Sequence, residues 1–267
     1  MAAAAPNRFA ATRGALPRKP LYLATRNAMR IDADGNHLIL RRAGAPVQRF
    51  PLARVDRIVC NRHADWSGAA LAACLAHGIP LIWLDGKSEA VGSALPRVAV
   101  ASPMTASLES YLELPDWTVR FDNWIRRRRL ETLTAWALRS AREDRAPDAE
   151  AFQQMKRAYV YNGEFPEVFA AEGRGWCHAL VVRHLHLQGL QARYWGYDGQ
   201  PLELADQLAN LLWAELNLDC GSLPAGAPAD RTLMLIFETW ARRREERLSA
   251  HLADLKRHLA RENETWP

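Results

Sequence analysis

At 267 residues, with 49% hydrophobic and 24% charged side chains, the chain can bury a core in one or two domains and is too apolar to be disordered. Lys and Arg number 35 against 30 Asp and Glu, giving a formal charge of +5 and a pI near 9.2, so only the distribution of charge can point to a partner. No run approaches the ~20 apolar residues of a membrane span, and Cys60, Cys74, Cys177 and Cys220 form no C-x-x-C pair. The composition predicts a cytoplasmic protein with buried thiols and no membrane partner, and it excludes a disulfide or zinc scaffold.

Residues 1–20 hold scattered Arg8, Arg13, Arg18 and Lys19 among Ala, Pro and Gly, and read as a flexible leader without the apolar stretch of a secretory signal. Strands follow at Leu21-Tyr22-Leu23, Met29 to Ile31, His37 to Leu40 and Val47 to Phe50, with a hairpin turn at Ala33-Asp34-Gly35-Asn36. Leu52, Val55, Ile58 and Val59 form a further apolar run. Asp65 or Ser67 can cap a helix of small residues from Gly68, which His77-Gly78 should end. Ile79 to Leu84 reads as a short buried strand, and Asp85-Gly86 as a hairpin turn into Ala90-Val91.

Pro, Ser and Ala punctuation over 96–116 predicts a linker with one helical turn near Leu108 to Leu112. Beyond it the apolar period is helical over Trp117 to Arg145, Ala149 to Tyr161, Phe165 to Gln188, Pro201 to Leu216 and Arg231 to about Asn263. The fold class is therefore α+β: a β-rich domain over 21–95 with one helix, joined by a hinge to an all-α domain over 117–267.

PLARVDRIV (Pro51 to Val59), SGAALAACLAHGIPLIWLD (Ser67 to Asp85) and Gly92 follow in order at a spacing that resembles the CRISPR-associated spacer-integrase family. The resemblance implies an N-terminal dimerisation domain and a helical domain that binds captured duplex DNA for insertion into a repeat array. It also implies a divalent metal, Mg or Mn, held by a Glu before Gly, a His after a Gly-rich turn, and an acidic residue on the next helix. Such a hard ion would polarise the phosphate and stabilise the displaced oxygen. Its implied partners are double-stranded DNA, a second subunit, and a small ferredoxin-fold adaptation protein.

Glu172, in Ala171-Glu172-Gly173, matches the first ligand, although a Glu in a first helical turn also complements the helix dipole. Pro224 stands where the His is expected, and Leu235 or Ile236 where the acid is expected, with only Glu238 acidic nearby. The resemblance thus gives Glu172 and Glu238 as the catalytic and metal-binding candidates of an incomplete site. His178, His184 and His186 do not share the i, i+4 face of a metal clamp and read as surface or groove residues.

For DNA contact the candidates are Arg120, Arg126, Arg127, Arg128 and Arg129 on one helix, Arg193 in a loop, and Arg242 and Arg243 on another helix. Successive arginines point to every side of a helix, so part of the run must be solvated or ion-paired. Trp195 can stack on a DNA end or pack between helices. Two functions follow. One is an integrase-like subunit that has lost its metal, acting as a homodimer or beside an active paralogue, with no cofactor. The other is an active metal-dependent endonuclease and integrase using Glu172, Glu238 and an unrecognised ligand.

Overall fold

The computed structural model describes residues 17–23, 27–97, 102–165, 169–190, 192–195, 202–220 and 230–264. The expected leader and Pro224 lie outside these residues, apart from the leader's last positions. The chain divides into two compact units, one running up to Trp83 and including Ser93–Pro96, the other formed by Leu84–Gly92 and everything from Arg97 onward.

In the β-rich part, strands β1 (Lys19–Leu23), β2 (Met29–Asp34), β3 (His37–Arg42), β4 (Gln48–Pro51), β5 (Val55–Asn61), β6 (Ala64–Trp66), β7 (Leu81–Leu84) and β8 (Ala90–Ala94) build two four-stranded sheets. Their orders are β1-β5-β7-β8 and β4-β3-β2-β6, with β1 parallel to β5 and β2 parallel to β6. Asp34 pairs with His37 across the β2–β3 turn, where Gly35 supplies a φ of +56° that other residues adopt at a cost. Met29 and Ile31 alternate inward on β2 and join Leu38, Leu40, Ile58 and Cys60 in one core.

Helix α1 (Gly68–Ala76) is capped by Ser67, whose hydroxyl accepts from the Ala70 N–H at 3.2 Å, and Gly78 follows it at φ +72°. The strand expected from Leu52 begins instead at Val55, after a single 3-10 turn over Leu52–Arg54. Strand β6 was invisible to periodicity because it is only three residues long. The turn after β7 is wider than a two-residue Asp-Gly hairpin. The Asp85 N–H donates to the Glu89 carbonyl, its Oδ1 accepts from the Lys87 and Glu89 N–H groups at 2.8 and 2.9 Å, and Ser88 carries the positive φ.

The second unit is helical: α2 (Met104–Leu112), α3 (Trp117–Arg142), α4 (Ala149–Met155), α5 (Glu172–Leu187), α6 (Leu204–Cys220) and α7 (Asp230–Glu264). Helix α2 lies inside the stretch expected to be a linker. It buries Met104, Leu108 and Tyr111 and packs against α7, which is why Pro and Ser punctuation did not make it a loop. Helix α4 continues as a π-helical segment over Lys156–Tyr161. Helix α5 is buried on nearly every side, so it lacks an amphipathic pattern and forms the centre of the bundle against α6. It starts at Glu172, later than the expected Phe165, because the Phe169 N–H is taken by the Asn217 side chain at 2.8 Å. Among the described residues no helix is long and apolar enough to cross a membrane.

Candidate nucleic-acid interface and metal position

Helices α3 and α7 run antiparallel and meet through a ladder of polar contacts. At one end Arg120 pairs with Asp116 at 2.8 Å and with Glu262. Next, Asp254 accepts from the Trp124 indole N–H at 2.9 Å and from Arg127 at 2.7 Å. Burial would raise its pKa, but the Trp124 hydrogen bond and the Arg127 and Arg128 charges hold it below the usual carboxylate range.

At the centre Arg128 donates through Nε and Nη2 to His251 Nδ1, at 3.0 and 2.9 Å. A guanidinium only donates, so Nδ1 must accept and the ring proton sits on Nε2, which donates to Glu215 Oε1 at 3.2 Å. The same oxygen accepts from Thr132 and Arg247, each at 3.4 Å. Burial pushes the Glu215 pKa up. The His251 hydrogen bond and the Arg247 and Arg244 charges outweigh burial and leave the value lowered. At the far end Asp219 accepts from Arg139 and from the Trp240 indole at 2.9 Å each, and from Arg244.

This ladder sorts the arginines. Arg120, Arg127 and Arg128 are engaged between helices, and Arg193 pairs with Glu109 while its guanidinium lies 4.9 Å from the Tyr194 ring centre. Arg126, Arg242 and Arg243 are exposed and make no ion pair among the described residues. Arg129 is half-buried, with its guanidinium 6.0 Å from the centre of the Tyr159 ring and Nη2 donating to Gln207 at 3.3 Å. Trp195 is 1% exposed, so packing is its role.

The Glu-Gly turn opens α5. Glu172 is exposed, in the first turn of the helix, without an ion pair among the described residues. Behind it a Cβ on Gly173 would stand 2.6 Å from the Phe169 ring and 2.7 Å from the Trp213 ring, and one on Gly175 would meet the Ser88 carbonyl at 2.4 Å. Phe169, Trp176, Trp213, Phe237 and Trp240 fill the junction of α5, α6 and α7 as a chain of tilted and edge-to-face contacts. Glu238 follows Phe237 on α7 and is half-buried. Among the described residues no three His, Cys, Asp or Glu side chains come together in a way that could hold a metal ion, so the donor set does not fit one there.

His178 and His184 are buried and not on the surface, because α5 is the central helix, and of the expected surface or groove placement the groove holds for His178. His178 Nε2 lies 3.2 Å from Asp206 in a cleft of about 250 Å³ shared with Glu89, Arg174 and Asn210. Burial lowers the His184 pKa.

A sequence model for CRISPR associated protein Cas1 matches residues 21–173, more than half of the chain. The chain belongs to the Cas1 family. The match stops at Gly173, so it covers Glu172 but neither α6 nor α7. No curated protein matches. Among solved structures the chain is similar to a Cas1 protein of Thermotoga maritima, TM1797, with a TM-score of 0.64 at 14% identity over 91% of this chain and 97% of that one. It is likewise similar to a Cas1 in complex with DNA, TtCas1, with a TM-score of 0.58 at 12% identity over 90% of this chain and 91% of that one. At these identities the likeness is one of fold, and it extends the Cas1 architecture through the helices that the sequence match leaves out.

Sequence reasoning missed Glu215, His251, Asp219 and Asp254, the carboxylates and imidazole that engage the arginines. Their one signal was charge recurring along the inward stripe of α7 at Arg244, Arg247, His251, Asp254 and His258, where a helix of a packed bundle normally carries apolar residues.

Proposed function

We propose that this Cas1 family member is a duplex-DNA-binding subunit of CRISPR adaptation whose metal centre is degenerate. The observation that carries the reading is the donor set. Glu172 is the only carboxylate at a position matching the family's ligands, and Glu238 is the one acid near the position where Leu235 or Ile236 stands. The α6–α7 loop, Gly221 to Ala229, reads GSLPAGAPA and contains no His, Cys, Asp or Glu, so its sequence offers no carboxylate or imidazole as a third ligand. A hard divalent ion needs several oxygen or imidazole ligands, and two carboxylates alone do not make such a site. The packed aromatic junction beside Phe237 supports the same reading.

The β-rich unit would pair subunits, in a homodimer or beside an active paralogue, and a small ferredoxin-fold protein would complete a cytoplasmic complex. Arg126, Arg129, Arg242 and Arg243, which have no carboxylate partner among the described residues, would contact phosphates. Cas1 structures that contain DNA or sit in a Cas1–Cas2 complex resemble this fold and favour such partners.

The test is strand transfer of a labelled short duplex into a repeat-bearing plasmid with Mg²⁺ or Mn²⁺, for the chain alone, its Glu172→Ala variant, and each mixed with a catalytic paralogue. The expected result is no product from the chain alone and equal product from the two mixtures. Product from the chain alone, abolished by Glu172→Ala, would establish the active enzyme instead.

A further inference from the structure

Arg129 is held on three sides. Its guanidinium faces the ring of Tyr159, Nη2 donates to Gln207, and Nη1 and Nη2 lie 3.1 Å from where a Cβ on Gly163 would stand. Gly163 has a φ of +76°, which suits glycine and leaves room for the guanidinium. Tyr159 belongs to the π-helical segment, a rare distortion frequent at functional sites, and is 2% exposed with a hydroxyl that has no hydrogen-bond partner.

No carboxylate pairs with Arg129 among the described residues, in contrast to Arg127 and Arg128 beside it. Burial lowers its pKa, and nearby Arg126 lowers it further, against opposing contributions from Tyr159 and Asp122. A partly desolvated guanidinium is normally paired, because removing the charge from water costs free energy that a counterion offsets. Here a second, exposed cation lies one helical turn before it. One N–H of the guanidinium is used, which leaves most of the fork free for an oxyanion.

We propose that Arg129, with Arg126, forms a phosphate subsite that receives a backbone phosphodiester of the bound duplex. The inference rests on the DNA-binding reading above and deepens it by dividing the arginine run: Arg127 and Arg128 hold α7, whereas Arg126 and Arg129 hold phosphate. Arg129 is then a charge that the free protein keeps at the expense of stability and that the ligand neutralises.

The experiment measures duplex affinity of the full chain between about 50 and 200 mM salt, together with the melting temperature, for the parent, Arg126→Met, Arg129→Met and Arg128→Met. Each phosphate that a variant no longer neutralises should lower the slope of log affinity against log salt by about 0.9. Arg126→Met and Arg129→Met are each expected to show that reduction, with the melting temperature of Arg129→Met equal to or above the parent's. Arg128→Met should keep the parent slope and melt earlier. Unchanged slopes for both Arg126→Met and Arg129→Met overturn the proposal, as does early melting of Arg129→Met with its slope intact.

If the parent binds no duplex, the DNA reading fails, and the subsite is judged by inorganic phosphate at fixed ionic strength. A larger rise in melting temperature for the parent than for Arg126→Met and Arg129→Met supports it, since the general salting-out effect is common to all three. Equal rises overturn it.

Discussion

Replacing Glu215 by Ala should be the most damaging single change in the α3–α7 ladder. Glu215 is 4% exposed, and its Oε1 is the shared acceptor of His251, Thr132 and Arg247. Arg247 can turn to water, but His251 at 1% and Thr132 at 3% exposure cannot, so two buried donors are left without their acceptor. Each buried donor left without its acceptor costs about 1–3 kcal/mol, so the two together cost several. For a chain of this size each kcal/mol lowers the melting temperature by about 2–4 °C, so a fall of about 10 °C is expected. Glu262→Ala, at the ladder's outer end, removes a partly exposed partner of Arg120 and should cost at most about 1 kcal/mol.

The assay is thermal unfolding by circular dichroism at 222 nm at neutral pH. The pH dependence has a definite sign. Because the folded-state pKa of Glu215 is lowered from the usual 4.5, its contribution is present above about 4.5 and disappears as the pH falls through the folded value. Asp254 acts in the same direction. Glu215→Gln should therefore melt below the parent at neutral pH and converge toward it in acid. A melting temperature for Glu215→Ala within about 2 °C of the parent at neutral pH would refute the view that this network holds the two helices.

Gly173→Ala should lower unfolding free energy in urea by about 1–3 kcal/mol, because the added methyl would enter between two rigid rings, Phe169 and Trp213. Parent-like stability would show that the α5 start can shift to admit it. Cys60 and Cys74, buried and with thiol pKa values pushed up to about 12 chiefly by desolvation, should resist a disulfide exchange reagent at pH 8 in the native protein and react fully in denaturant. Native-state labelling of these two residues at the denatured rate would contradict the packing of the β-rich unit.

Where a residue's role is set locally, the sequence was legible. Ser67 before small residues, Gly78 after them, and apolar alternation through Met29 and Ile31 each specify their element through backbone chemistry or a period of two, and the structure has these elements within a few residues. The order of motifs from Pro51 to Gly92 likewise pointed to the Cas1 family. Asp85 was harder. Asp-Gly suits a tight hairpin, but the Asp85 side chain instead caps two later N–H groups and moves the positive φ to Ser88, which nothing in a four-letter turn pattern specifies. Helix α2 was legible only as one helical turn near Leu108 to Leu112, because its stability comes from burying Leu108 and Tyr111 against α7, more than a hundred residues away in sequence.

The arginines show the deeper limit. Arg126 to Arg129 are four identical letters, and helix geometry assigns each a different direction. What each direction meets depends on where α6 and α7 come to rest: Asp254 for Arg127, His251 for Arg128, Gln207 for Arg129 and solvent for Arg126. The Glu-Gly turn has the complementary ambiguity. Gly173 and Gly175 are each required by a close approach, the first to two aromatic rings and the second to the Ser88 carbonyl, whatever Glu172 does. A match to the family's Glu-Gly signature is therefore satisfied by packing alone at its glycine positions. Only the carboxylate tests for chemistry, and it lies exposed, outside any group of three His, Cys, Asp or Glu side chains that could hold a metal among the described residues.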